Sequence, residues 1–498
     1  MNDQTGKKGA HGTSSFCGWC WGGLRRRPGL LAGLCVVVVV AGFYGEEDWR
    51  GWHAWNEYKA DAVARGLSLD YASYIPKPVP DEENFAATPY LKAFMGPGPV
   101  TLAVDAYDYP HGIVRDVRPS GVRELGRRRF IPLENWKPSG TAIESNAISI
   151  PRAIVAATVL DGMKPYADMF AQLSAASNRK FGQFAVQYNV EKPWETAEPH
   201  FIRIEKLCGH LQLHACAELA ADRAREAMAD VKVMLALADS IKMEPSLISF
   251  LIRVACFRFT IQPVWEGLAE HRWNEGQLQE LQARFSSYNF VADMDRIFKA
   301  ERAAGTLECD EIGMDGFVPG GWLFPSGWYG LEKVNYNHGL DKMKGTYDPI
   351  GITVSPKRCD AITKEFRQWP DVAESGITLA VVINHEVVEA MRLPSSSPTV
   401  SAAAQVESDE AALACALERY RLANGQFPER LDALMPRFMA HLPNDVITGQ
   451  PYKYRRTADG RFVLYSVGWN EKDDGGVPGD TLFDKEKGDW VWEYPGKE

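Results

Sequence analysis

The most continuous apolar stretch of the chain lies near its N-terminus. Residues 28–45 (PGLLAGLCVVVVVAGFYG) carry no charge, whereas three arginines (Arg25–Arg27) precede them and three acids (Glu46–Asp48) follow. A helix over residues 29–45 is about 25 Å long, at the short end of what crosses a hydrocarbon core of about 30 Å. Arginines stay on the cytoplasmic side of such a segment. The pattern predicts an inner-membrane, single-pass protein with a cytoplasmic basic tail over residues 1–28 and its bulk outside the cytoplasm.

Three other interpretations of this stretch have to be considered against the residues around it. Val39 and Ala41 are small residues in the positions that a signal peptidase requires, so a cleaved signal peptide remains an alternative. A lipoprotein is disfavoured, because the leucine of a lipobox would stand one residue too far from Cys35. A buried core helix fits poorly between three arginines and three acids.

The next segment, residues 46–98, combines a juxtamembrane helix with a proline-rich strap. Aromatic residues recur every three positions at Trp49, Trp52, Trp55 and Tyr58. Such a stripe packs on the folded domain or lies against lipid headgroups, and we expect packing. The following run IPKPVPDEENFAATP contains four prolines, which exclude a regular helix or a central strand.

Helical periodicity dominates residues 99–395, the predicted middle domain. Between Pro199 and Gly305, apolar residues recur at helical spacing, and Asn274 with Gln277 forms a capping-box pattern. We expect helical hairpins there, with Gly305 ending the last helix. Residues 306–370 are rich in Gly, Pro, Trp and Tyr and are predicted to be long ordered loops, in which Cys309 and Cys359 are the first choice for a disulfide.

A break at LPSSSPT predicts that a separate module begins at about residue 396 and extends to 498. Its first helix ends at Gly425, a hairpin turns at Asp459-Gly460, an acidic glycine-containing loop follows, and DWVWEYP forms a last strand. The overall prediction is an α+β fold that is predominantly helical: a transmembrane helix, a helical-hairpin middle domain and a small C-terminal α+β module.

The net charge and the absence of common catalytic motifs exclude several classes of function. The net charge of −10 and the pI of about 5.6 argue against a nucleic-acid partner. The sequence contains no GxSxG elbow, no phosphate-binding P-loop and no GxGxxG signature. His210 and His214 lie one helical turn apart, with Glu218 a further turn on, which suits a metal site but is more often found on an ordinary amphipathic helix.

The C-terminal residues 405–493 resemble the globular domain of the type II secretion major pseudopilin. The resemblance rests on three segments in the order that the family has: ALERYRLANGQFPERLDAL, LPNDVITGQPYKY and FVLYSVGWNEKDDGG. It departs from the family because the module's helix is polar at its start, begins at about Thr399 and follows no leader motif. The resemblance therefore implies a folded recognition or stabilising domain without the apolar spindle that a fibre needs.

Calcium is the cofactor that this resemblance implies, because the family binds it in the corresponding loop. The candidate ligands are oxygen-bearing side chains of the acidic loop: Asn470, Asp473, Asp474, Asp484 and Asp489. An acidic turn that is simply solvated is the other interpretation. We predict a non-catalytic envelope protein, a scaffold or an accessory with envelope or secretion proteins as partners. The alternative is a membrane-anchored extracytoplasmic hydrolase or metal-dependent enzyme that uses the loop-rich segments.

Overall fold

The computed structural model describes residues 28–96, 129–133, 151–314, 324–367, 379–481 and 484–493. Residues 1–27 of the predicted cytoplasmic tail and the central part of the predicted loop (315–323) lie outside these residues. The chain divides into two compact units. The first combines residues up to Arg65 with Cys309–Asn335, and the second combines Gly66–Glu308 with Tyr336–Glu498.

The first unit contains helix α1, Pro28–Ala64, which is 37 residues long. It joins the predicted apolar segment and the juxtamembrane helix in one continuous element, as the sequence predicts. By length and hydropathy, Gly29–Ala64 is able to cross a membrane, although an N-terminal signal sequence has the same properties. The apolar run is exposed, with Val39 at 70%.

The aromatic stripe of α1 divides into two parts. Trp55 stacks on Tyr58, and the Lys333 ammonium lies 5.2 Å from the Trp55 ring centroid, so these two rings pack as expected. Trp49 and Trp52 instead remain 62% and 65% exposed, and the prediction that they pack on the domain was wrong.

Glycines and an acidic cap join α1 to the start of the next helix in this unit. A side chain at Gly51 would collide with the backbone of Gly327, so only glycine permits this approach. The Asp48 carboxylate accepts hydrogen bonds from Gly327 N at 2.8 Å and from the Ser326 hydroxyl at 2.9 Å. It thereby caps the helix from a distant part of the sequence.

The second unit is mainly helical. The helices of the chain after α1 are α2 (Pro89–Lys92), α3 (Arg152–Met163), α4 (Ala167–Ala176), α5 (His200–Ala220), α6 (Ala224–Ser240), α7 (Leu247–Ala269), α8 (Glu275–Phe285), α9 (Phe290–Met314), α10 (Gly327–Lys344), α11 (Pro356–Arg367) and α12 (Leu379–Asn424). Short 3₁₀ turns connect several of them, and a small hairpin of β1 (Tyr347–Asp348) and β2 (Thr353–Val354) precedes α11.

Side-chain caps explain where two of the helices between residues 199 and 305 begin. Ser246 caps α7 by accepting a bond from Ser249 N, and Asn274 with Gln277 makes the predicted capping box of α8. Pro263 lies inside α7, which continues past it to Ala269. Although α7 is apolar enough to cross a membrane, two thirds of its apolar window is buried in the protein, as expected of a core helix.

The prediction of long loops over residues 306–370 was wrong. Helix α9 passes Gly305 and ends at Met314, and α10 and α11 occupy most of the remaining described residues. Gly305 is required for packing rather than termination, because a Cβ there would overlap the Tyr336 ring. Cys309 and Cys359 are both buried thiols, so the predicted disulfide is also wrong.

Helix α12 is 46 residues long and runs through Pro394 and Pro398, where the sequence predicted a break. Residues 397–418 are buried on every face, against α7, α8 and the C-terminal sheet. Burial of this central segment explains the continuous helix, because tertiary packing outweighs weak local propensity.

The rest of the C-terminal module follows α12. Gly425, with a φ of 78°, ends the helix, and Leu431–Leu434 forms the short helical turn. The antiparallel sheet has the order β3 (Lys453–Arg456), β4 (Phe462–Ser466), β5 (Trp490–Trp492). The hairpin around Asp459-Gly460 and the last strand are therefore confirmed.

Candidate metal centre

The acidic loop connects β4 to β5 over residues 467–489 and is built around left-handed backbone positions. Gly468, Gly475, Gly476 and Gly488 all have positive φ angles, as does Glu471 at 58°. A side chain at Gly488 would overlap Gly479, so two parts of the loop touch through their backbones. The glycines therefore fold the loop back on itself and bring residues far apart in sequence close together.

Asp489 is the central acid of this loop. Its side chain is fully buried, and its two carboxylate oxygens accept hydrogen bonds from Asp474 N at 3.2 Å and from Gly476 N at 2.6 Å. Burial raises the pKa of Asp489, although these backbone bonds oppose the rise, and the nearby charges of Asp474 and Asp473 raise it further. A bound cation would offset both of the effects that raise this pKa.

Asn470 and Asp474 complete a network with Asp489. The Asn470 amide nitrogen donates to Asp474 Oδ2 at 2.8 Å, and Gly488 N donates to the same oxygen at 2.5 Å. The amide oxygen of Asn470 accepts from Lys472 N at 3.0 Å. Three of the five predicted ligands thus share one face of the loop.

The other two predicted ligands make different contacts. Asp473 accepts a hydrogen bond from the Tyr465 hydroxyl at 2.9 Å and pairs with Lys453 at 3.2 Å. Asp484 caps a turn by accepting bonds from Glu486 N and Lys487 N. Neither acid is directed into the network of Asn470, Asp474 and Asp489.

The network of Asn470, Asp474 and Asp489 provides some of the oxygen ligands that a hard cation requires. Calcium takes six to eight oxygen ligands from carboxylates, amides, backbone carbonyls and water. Asp474 and Asp489 carry carboxylates, whereas the Asn470 amide presents its nitrogen to Asp474 and would have to turn for its oxygen to reach an ion. Within the described ranges, however, no three His, Cys, Asp or Glu side chains converge closely enough to hold a metal ion by themselves. Amide and backbone oxygens would have to complete the shell.

The two histidines of the predicted metal site, His210 and His214, form hydrogen bonds with separate partners. His214 Nδ1 lies 2.6 Å from Asp230 Oδ2, and His210 Nδ1 lies 2.7 Å from the Lys206 carbonyl oxygen. Burial lowers the pKa of His214, but its bond with Asp230 outweighs that effect and raises it. His210 and His214 therefore point to different partners, which explains why their spacing does not make a bidentate site.

Sequence reasoning missed a buried acidic group between α5, α7 and α9. His200 Nε2 lies 2.9 Å from Glu244 Oε1, the Ser246 hydroxyl donates to Glu198, and Leu247 N donates to Glu301. Burial raises the pKa of both Glu198 and Glu301 to about 7 and lowers that of His200 to about 4. These residues come from three separate segments of the sequence, so no single motif predicts that they lie together.

Sequence reasoning also assigned no role to Asp445, which lies in the pseudopilin-like segment LPNDVITGQPYKY. This buried carboxylate accepts bonds from Ile447 N at 2.9 Å and the Ser466 hydroxyl at 2.8 Å. It attaches the Pro443–Pro451 segment to the end of β4, where the acidic loop begins.

No protein-family model, curated protein or solved structure matches this chain. The resemblance to the pseudopilin domain accordingly remains a prediction from the residues of the C-terminal module.

Proposed function

We propose that the chain is a non-catalytic, membrane-anchored envelope protein whose C-terminal module serves as a calcium-stabilised structural domain. The observation that carries the proposal is the exposure of the uncharged run Val36–Val40 on helix α1, followed by the exposed rings of Trp49 and Trp52. Aliphatic side chains gain free energy on transfer to lipid tails, and tryptophans favour the headgroup region. Together they suit a helix that enters a bilayer from residue 29 and leaves it near residue 45.

The C-terminal module supports a scaffolding role. Its helix α12 is enclosed by α7, α8 and the sheet over residues 397–418, so this surface is used within the chain itself. A pseudopilin-like domain held in this way has no free apolar helix for fibre assembly. It leaves the sheet edges and the acidic loop as the surfaces that meet other proteins.

Calcium would be held by Asp474 and Asp489 with the amide oxygen of Asn470. When bound, the ion would supply positive charge beside two neighbouring carboxylates and would rigidify a loop that has little secondary structure of its own. The chain's own residues already bring β5 back to β4 through the backbone bonds of Asp489. The role proposed for the ion is structural.

Membrane extraction tests the anchor. The full chain, produced in bacterial cells, should stay in the membrane pellet after washing with alkaline carbonate and enter solution only with detergent. A variant with Val37→Arg and Val39→Arg should be released, because each central arginine costs several kcal/mol in the bilayer. Lys164→Glu with Arg430→Glu is a matched control on exposed sites, and it should stay in the pellet. Release of the unmodified chain by carbonate would contradict the proposal.

Crosslinking tests the accessory role. Crosslinking of intact cells, followed by purification in detergent, should recover envelope or secretion proteins with the full chain. The control is a reporter protein fused to residues 1–65, which carries the anchor alone. Recovery of the same proteins with both baits, or of none with the full chain, would contradict a scaffold function of the second unit.

A further inference from the structure

A cleft in the second unit lies among the loop 177–182, helix α6 and helix α8. It has a volume of about 340 Å³, within the range of small-molecule sites. Its floor is apolar and is formed by Phe85, Met228, Leu235, Ala236 and Leu281. The loop is held close to α6, because a Cβ at Gly182 would stand 3.0 Å from Ser240 Cα.

Charged side chains line the rim, and some of them neutralise one another. Lys232 pairs with Glu280 at 2.8 Å, and Arg284 pairs with Asp239. Arg253, outside the cleft, also lies 3.3 Å from Asp239. Both acids of the cleft therefore already have cationic partners.

Arg179 and Lys180 are the remaining cations of the rim. Arg179 donates to the backbone carbonyl oxygens of Asn84 at 2.9 Å and Asp81 at 3.5 Å, and the Lys180 ammonium lies 4.7 Å from the Phe181 ring centroid. Among the residues that the structure describes, neither forms a salt bridge with a carboxylate. Four cationic side chains and two acidic ones, Asp239 and Glu280, line the cleft. The cleft therefore has an excess of two positive charges beside its apolar floor.

We propose that this cleft binds a small organic anion. Its carboxylate or phosphate group lies against Arg179 and Lys180, and its apolar body lies on the floor formed by α6 and α8. Arginine suits such an oxyanion because its planar guanidinium offers several donors at once. The volume suits one ring or a short chain, which a free organic acid or the phosphate and adjoining acyl chain of an anionic lipid supplies. The proposal does not depend on the membrane anchor or on calcium.

Binding of a charge-matched pair of probes to the full chain in phosphatidylcholine nanodiscs tests the proposal. The probes are 4-phenylbutanoate and 4-phenylbutylamine, which share an apolar body and carry opposite charges. Saturation-transfer NMR should detect binding of the acid and should find the amine at least about tenfold weaker. Equal binding of the two probes would overturn the proposal.

Two variants locate the site. Arg179→Gln with Lys180→Gln removes the excess charge, and Ala236→Phe fills the half-buried floor; each should weaken binding of the acid by about tenfold or more. Lys164→Gln with Arg430→Gln removes two exposed cations elsewhere and should leave binding unchanged. Circular dichroism confirms that the variants fold. Unchanged binding to both folded cleft variants would overturn the proposal.

Lipid composition then separates the two sources of the anion. If phosphatidylglycerol in the nanodisc displaces 4-phenylbutanoate from the unmodified chain, the cleft takes an anionic lipid. If binding is the same in both lipids, the cleft takes a free organic anion. Either result supports an anion site, whereas loss of binding in both lipids contradicts it.

Discussion

Arg258 and Glu407 form an ion pair in the interior of the second unit, with Arg258 Nε 2.9 Å from Glu407 Oε2. The side chains are only 10% and 6% exposed. Arg258 belongs to α7 and Glu407 to α12, so the pair joins the middle helices to the helix of the C-terminal module. Removing one member leaves the other charge buried without its partner, which costs more than removing both.

This asymmetry gives the first prediction. Glu407→Leu alone should lower the free energy of unfolding by about 3 kcal/mol, and Arg258→Met with Glu407→Leu should lower it by less. Urea unfolding followed by tryptophan fluorescence measures the double variant and the two single variants, Glu407→Leu and Arg258→Met. If the double variant loses as much as the sum of the two single variants, the pair does not couple α7 to α12.

Calcium should stabilise the C-terminal module through Asp489. Saturating calcium at about 100 times the dissociation constant adds about 2.7 kcal/mol to a protein that binds it only when folded. The melting temperature of the full chain in detergent should therefore rise with calcium and fall again with chelator. Asp489→Asn should abolish this rise, because it removes a charge at the centre of the network.

Asp484→Asn is the matched control, since that acid caps an exposed turn outside the network. It should retain the calcium response. A response that survives Asp489→Asn, or that is lost only in Asp484→Asn, would place the ion elsewhere.

The half-buried acid Glu301 should make stability depend on pH. Burial raises its pKa from 4.5 to about 7, so the folded protein holds this proton more tightly than the unfolded chain does. This tighter binding of the proton stabilises the folded protein relative to the unfolded chain. The stabilisation is complete below pH 4.5 and is lost as the pH rises through about 7. Glu301→Gln should raise the melting temperature at pH 8 by about 2–4 °C and change it little at low pH.

Glu82→Gln, at an exposed acid, is the control and should leave the pH profile unchanged. Melting curves at several pH values measure both variants. A pH profile of Glu301→Gln identical to that of the unmodified chain would show that Glu301 is not the responsible group.

Two glycines in helices should respond in opposite directions to alanine. Gly305→Ala should destabilise the second unit by at least 1 kcal/mol, because its Cβ would overlap the buried Tyr336 ring. Gly276→Ala lies on the exposed start of α8 and should stabilise by about 0.5–1 kcal/mol, since alanine loses less backbone entropy. Urea unfolding measures the two changes, and a Gly305→Ala variant as stable as the unmodified chain would contradict the packing described for Gly305.

The parts of the fold that sequence predicted best are those with local causes. The capping box of Asn274 and Gln277 and the turn at Asp459-Gly460 each use side chains or backbone freedom within a few residues. The parts that it predicted wrongly depend on distant contacts. Gly305 continues its helix because Tyr336 covers it, and α12 passes Pro394 and Pro398 because the segment that follows is buried on all sides.

The candidate site shows the same division. Glycines at positions 475 and 476 predicted a tight acidic loop, and Asn470, Asp474 and Asp489 belong to one hydrogen-bond network there. The sequence alone did not separate Asp473 from Asp474, because adjacent side chains point to different neighbours only after β3 supplies Lys453 and β4 supplies Tyr465.

Protease accessibility of the C-terminal module in bacterial spheroplasts tests the central claim, that α1 anchors the chain with its bulk outside the cytoplasm. A tag at the C-terminus should be removed by external protease while a cytoplasmic marker protein in the same cells stays intact. A tag that is protected until the membrane is dissolved, or a chain recovered intact in the soluble cytosolic fraction, would contradict the claim.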